Sequence, residues 1–250
     1  MTDALCRSDT SGYWHGRSRY FDELTELWTA FDDGVLIAFG GLRLLSHERE
    51  PIVYVDTLNV RPRSLGSKIG RYSLGTALMH EILFHYSVRF SGPPPFVFRT
   101  QNPHVYRLAH AMVPRGIHPA IGCGSSRQPE RGTRLAAVVA SQLSPNKVFD
   151  SDTLVIRGAL GRSLYGSDSS AMRPTGLLLA RYWKQNVHTT KGDALVVVVM
   201  PTKAEVAKLA LSYGATVGRD KWQHLKDRIR SNAMRILPRQ RRATRHAACP

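Results

Sequence analysis

The sequence predicts an α/β protein, and three stretches of it carry that prediction. Residues 52–60 are rich in β-branched side chains and stop at Arg61-Pro62, where proline lacks the N–H a ladder needs. From about Ser73, the apolar residues Leu74, Ala77, Leu78, Ile82 and Leu83 recur with the period of an amphipathic helix. Residues 194–200 (ALVVVVM) form a continuous β-branched run, the mark of a strand covered on both faces.

Taken in order, residues 1–19 are a polar lead-in. Residues 20–31 place Phe21, Leu24, Leu27, Trp28 and Phe31 at helical spacing with Asp22, Glu23 and Glu26 opposite, so a helix is expected there. Asp32-Asp33-Gly34 is a turn signal, and residues 35–45 follow as a strand in which Gly40-Gly41 marks a bulge or a close backbone approach. The strand over 52–60 leads through a basic loop holding Gly66, Gly70 and Gly75 into the helix over 73–90. Gly92-Pro93-Pro94-Pro95 forces an irregular connection to a short strand at residues 96–99. Asn102 suits a cap and Pro103 a first helical position, opening a helix through Val105, Leu108, Ala109 and Met112.

The second half carries weaker signals. Residues 122–134 read as loop, 135–143 as a short helix, 153–156 as a strand and 161–175 as a Ser/Gly-rich loop. Residues 177–183 are apolar and fit either helix or strand, and a helix over 203–213 should stop at Gly214. Trp222, Leu225, Ile229, Ala233 and Ile236 then make one helical stripe among basic residues, before an Arg-rich end expected to be disordered. The expected organisation is a lead-in over 1–19, one domain over 20–215, and a basic helix with its tail over 216–250.

Composition is that of a folded protein, with 42% hydrophobic and 22% charged residues over 250 positions. Charge is the outlier: 35 Lys and Arg against 19 Asp and Glu give +16, which favours polyanionic or phosphorylated partners. Three cysteines, Cys6, Cys123 and Cys249, have no metal-ligand spacing and fit a reducing compartment. No signal-peptide pattern opens the chain, and its longest apolar run is too short to cross a bilayer. A soluble, cytoplasmic protein without a membrane span is expected.

A glycine-bearing loop feeding a helix N-terminus is a ready cradle for phosphate, and equally a plain connection. Here the strand ending V-R-P, the basic loop and S-L-G-T-A-L-M-H-E together resemble the acyl-CoA-binding signature of the GNAT superfamily of N-acetyltransferases. Downstream, TQNPHVYRLAHAM is similar to that family's next strand and helix, and the resemblance spans roughly residues 20–120. It implies a mixed, mainly antiparallel sheet flanked by helices, extended by a C-terminal half. It also implies acetyl-CoA or another acyl-CoA as cosubstrate, with direct acyl transfer to an amine.

Carried residue by residue, the resemblance puts cofactor phosphates on Arg71, Tyr72, Ser73, Leu74, Gly75, Thr76 and Ala77, with Arg63, Lys68 or Arg71 as counter-ions. A backbone N–H among Leu58 to Val60 would polarise the thioester carbonyl, and Asn102 would lie near the cofactor. The family's Gln or Arg falls on Gly70, its first glycine on Ser73, and its thiolate-protonating Tyr on Ala109. That leaves Tyr106 and His110 as the nearest side chains able to do that work. Asp56, expected on one face with Tyr54 and Leu58, is the candidate base; a carboxylate on an exposed strand face or in a structural ion pair is the equal alternative.

The expected partners are an amine-bearing acceptor, an anionic or nucleic-acid-linked substrate met through the basic C-terminal tail, and a second copy of the chain in a homodimer. Two other functions fit the sequence: a catalytically inactive acyl-CoA-binding protein on the same fold, and a basic nucleic-acid-binding or ribosome-associated module.

Overall fold

The computed structural model describes residues 20–64, 68–69, 71–122, 127–160, 164, 176–217 and 234–235. The three cysteines, the loop glycines Gly66 and Gly70, and most of the basic C-terminal segment lie outside them. A short helix α1 (Tyr20–Glu23) precedes three strands, β1 (Glu26–Asp32), β2 (Val35–His47) and β3 (Glu50–Val60). A 3-10 turn (Pro62–Ser64) and a small hairpin of β4 (Lys68–Ile69) with β5 (Tyr72–Ser73) lead into α2 (Leu74–Arg89). Then come β6 (Phe96–Thr100), α3 (Pro103–Met112), β7 (Ile117–His118), α4 (Pro129–Leu143), β8 (Phe149–Asp150) and β9 (Val155–Ile156). The chain continues through α5 (Leu177–Asn186), a 3-10 turn (Thr189–Lys191), β10 (Ala194–Val199), α6 (Lys203–Val217) and β11 (Met234–Arg235).

Most strands join one sheet in the order β11-β1-β2-β3-β6-β10-β9-β8, with β7 also on β10. Its pairings are antiparallel except between β3 and β6, which run parallel across the α2 crossover. The expected mixed, mainly antiparallel sheet with flanking helices is therefore present. The apolar run of residues 194–199 is buried along its length, with α3 and α4 both packed on β10. A single hydrophobic cluster runs from Trp28 to Met200, so the second half completes the core of the first. Among the described residues no helix is long and apolar enough to cross a membrane.

Several expectations are corrected. The helix over 20–31 is four helical residues followed by strand β1. Glu26, which a helix would have turned to solvent, is buried between Trp28 Nε1 and Arg89, and that tertiary pairing overrides the local apolar spacing. Helix α4 starts at Pro129 rather than 135, with proline in its first turn. Residues 177–183 resolve as helix, within α5. Helix α6 runs through Gly214 to Val217, with Tyr213 buried against α2. Met234 and Arg235, which the sequence reading puts within a basic C-terminal helix, pair with Leu27 and Glu26 as strand β11.

Candidate functional site

The parallel pairing of β3 with β6 covers only Val53↔Phe96, Tyr54↔Val97 and Val55↔Phe98. Both strands continue, β3 to Val60 on β2 and β6 to Thr100 on β10. Beyond Val55 the two neighbours part, leaving a fork in the sheet whose inner edges have no ladder partner among the described residues.

A β-bulge sits at the same place. Gly41 pairs with Thr57 and Leu42 with Val55, so Asp56 is the extra residue. The bulge changes the phase of β3. Gly40 pairs with Leu58, and a Cβ at Gly40 would stand 3.6 Å from Leu58 and 3.7 Å from Ile82 of α2, so Leu58 faces α2. Asp56 faces the other way with Tyr54 and Arg43, which corrects the expectation that Asp56 and Leu58 share a face. Gly40-Gly41, singled out in the sequence, is the place where that bulge and the close approach of α2 meet.

On the α2 face the fork meets the helix N-terminus. Ser73 caps α2, its Oγ accepting from Thr76 N at 3.3 Å. A Cβ at Gly75 would meet Val60 at 3.6 Å and Leu58 at 3.8 Å, so the end of β3 and the start of α2 touch. Ser73 is exposed and Thr76 half-buried, whereas Leu74 and Gly75 are buried against β3. Ala77 is fully buried against Tyr213 of α6 and is withdrawn from any cradle. Arg63 and Lys68 are exposed on the loop. Arg71 turns towards α6, donating to Ser212 Oγ and to Tyr72 Oη. Asn102 caps α3, its Oδ1 accepting from His104 N at 2.9 Å.

The structure does not gather the three candidate catalytic side chains. Asp56 Oδ2 accepts from Arg43 Nε at 3.2 Å and Nη2 at 2.9 Å, and its side chain is 1% exposed. Tyr106 is buried on α3; its Oη accepts from Ile121 N at 2.8 Å and donates to Pro119 O at 3.0 Å. His110 lies in the last turn of α3, roughly 12 Å along the axis from Asn102. Burial lowers its pKa.

Two cavities flank this region. One of about 330 Å³ involves Arg43, Arg99, Glu23 and the C-terminal end of α4, where Arg99 Nη1 donates to Ser144 Oγ at 2.9 Å. It lies on the Asp56 face. The other, of about 600 Å³, lies on the α2 face between the β4–β5 hairpin, the end of α3 and α6. The sequence pointed to neither Arg99 nor the α6 contribution, because each matters only through partners distant in the chain. Among the described residues there is no His, Cys, Asp and Glu cluster suited to a metal ion. No protein-family model matches the chain, and no curated protein matches it significantly.

Proposed function

We propose that the chain is an acyl-CoA-dependent N-acyltransferase. One observation carries this reading: a parallel strand pair that parts at a bulge, with the N-terminus of α2 against the end of the freed strand. Unpaired backbone groups on a strand edge suit a ligand that itself carries amides, by the logic of strand addition. The N–H groups of the first turn of α2, which lack intrahelical carbonyls and of which Thr76 N is held by the Ser73 cap, suit its phosphates. The residues present therefore fit an acyl-CoA with its phosphates near Ser73 and its thioester in the fork beside Leu58 to Val60. The amine would arrive from the Asp56 face. Its nitrogen attacks the thioester carbonyl, a C–N bond forms, the C–S bond breaks, and the thiolate takes up a proton as the amine loses one. Asp56 serves here as the carboxylate that fixes Arg43, and Tyr106 as the residue that holds residues 119–121.

The dispersal of Asp56, Tyr106 and His110 favours a second reading, acyl-CoA binding without turnover. Calorimetric titration with acetyl-CoA and longer acyl-CoAs, on wild type, Gly75→Ala and Gly75→Glu, tests the common part. Gly75→Ala adds a methyl at ordinary contact distance and should keep binding. Gly75→Glu drives a long anionic side chain between the start of α2 and Val60 and Leu58 at the fork and should abolish binding in a chain that circular dichroism shows to be folded. No binding by wild type sinks the acyl-CoA reading, and binding indifferent to Gly75→Glu sinks the loop assignment. Turnover of an amine panel then separates enzyme from binder.

A further inference from the structure

The larger cavity, about 600 Å³, is of ligand size. Met112, Val113 and Leu209 give it apolar walls, while Arg71, Arg115 and Lys208 bring positive charge to it from the hairpin, the segment after α3, and α6. Its other arginine, Arg127, is neutralised by Glu205 at 3.1 Å. Arg71, Arg115 and Lys208 take part in none of the ion pairs among the described residues. Cations that converge on an apolar hollow, outnumber its one lining carboxylate, Glu205, and pair with no carboxylate among the described residues repel one another unless an anion lies among them. An aromatic face completes the set, since Tyr72 lies under the Arg71 guanidinium at 5.1 Å from its ring centroid.

The cavity exists because α6 docks on α2. Tyr213 packs fully buried against Ala77, with Tyr72 and Phe84 around it, and this places Ser212, Leu209 and Lys208 opposite the hairpin. Arg71 then bridges the hairpin to Ser212. Neither β3 nor β6 lines the cavity, so it lies apart from the fork, yet Tyr72 immediately precedes the Ser73 cap of α2.

We infer that this cavity holds the nucleoside end of the acyl-CoA, with Arg71, Arg115 and Lys208 engaging the phosphate on its 3′ position. The inference rests on the acyl-CoA reading above and adds to it what the chain discriminates. Beyond the diphosphate, that end consists of a planar base and a separate phosphate dianion, which match the apolar wall and the unneutralised cations. The chain would therefore distinguish CoA from the otherwise identical molecule lacking the 3′-phosphate.

The test is calorimetric titration of the full chain, at one fixed salt concentration, with CoA, dephospho-CoA and adenosine 3′,5′-bisphosphate. Wild type and the double variant Arg115→Ala/Lys208→Ala are compared; both positions are exposed, and circular dichroism checks that the variant is folded. Wild type should prefer CoA over dephospho-CoA by about tenfold or more, the scale of one charge-assisted contact set. The double variant should lose that preference while binding dephospho-CoA as wild type does, and adenosine 3′,5′-bisphosphate should bind wild type alone. Equal affinity of wild type for the two CoA forms, or a preference that survives the double variant, overturns this inference and leaves the acyl-CoA reading standing. Failure of both CoA forms to bind overturns the two together.

Discussion

Removing Arg43 should reveal what Asp56 is for. The Asp56 carboxylate is 1% exposed and Arg43 19% exposed, with two contacts between them at 3.2 and 2.9 Å. Arg43 also meets Glu23 at 2.7 Å, but the Glu23 side chain is 52% exposed and contributes little. Arg43→Met keeps the aliphatic bulk and leaves Asp56 buried without its cation, a change that costs about 3–5 kcal/mol. For a chain of this size that is a fall of roughly 6–20 °C in Tm. Arg43→Met/Asp56→Leu removes both charges and should recover most of the loss, since an apolar pair can replace a buried ion pair at little cost. Urea unfolding followed by circular dichroism measures all three proteins. If Arg43→Met lies within about 1 kcal/mol of wild type, or the double variant is no more stable than the single one, the structural account of Asp56 is wrong. A free carboxylate at the fork then becomes a base candidate again.

Three further outcomes are expected. His80 lies buried between α2, Tyr72 and Tyr213 with both ring nitrogens unpartnered, and burial, then Arg71, holds its pKa at about 4 against 6.5. The unfolded chain thus binds the proton more readily. The stability from a neutral His80 is complete above pH 6.5 and drains as pH falls towards 4, by about 3 kcal/mol. His80→Phe should flatten the stability–pH curve in that window, and curves that stay parallel would refute this. Tyr106→Phe should cost about 0.5–1.5 kcal/mol by removing the hydroxyl that links Ile121 N to Pro119 O, measured by thermal unfolding, and should spare any acyl transfer the chain performs. Gly116→Ala would put a Cβ 2.5 Å from Met200 O, a backbone atom that cannot swing aside, and should cost about 1–3 kcal/mol in urea unfolding.

How much of this was legible in the sequence depended on whether a signal is local. The α3 cap was written in Asn102-Pro103, the β1–β2 turn in Asp32-Asp33-Gly34, and the buried strand in residues 194–199, because each rests on its own residues' chemistry. Strand β1 was not legible, because its identity depends on Arg89, far along the chain, reaching Glu26. A seven-residue apolar pattern covered on both faces has too little period to separate strand from helix. The α6 side of the larger cavity was hidden for a related reason, since only the docking of Tyr213 brings Lys208 towards Arg71.

The bulge at Asp56 is the sharpest case, because one residue decides both what could be read and what the site could do. Strict alternation along residues 54–60 puts Tyr54, Asp56, Leu58 and Val60 on one face, which would crowd acid, cofactor edge and helix contact together. The extra residue opposite Gly41 and Leu42 splits them: Asp56 stays with Tyr54 and Arg43, while Leu58 and Val60 swing to Gly75. The parting of β3 from β6 begins at the same residue. A single insertion into the ladder thus opens the strand edge and sends the helix-cradle residues to one face and the ion pair to the other. In the proposed reaction that separation lets cosubstrate and acceptor approach one gap from opposite sides of the sheet. Deleting Asp56 should therefore restore the alternation, close the fork and abolish acyl-CoA binding, a far larger effect than Asp56→Asn, which leaves the bulge in place. Calorimetry that finds acyl-CoA bound equally well by the deletion variant, shown by circular dichroism to be folded, would separate the fork from the cosubstrate site.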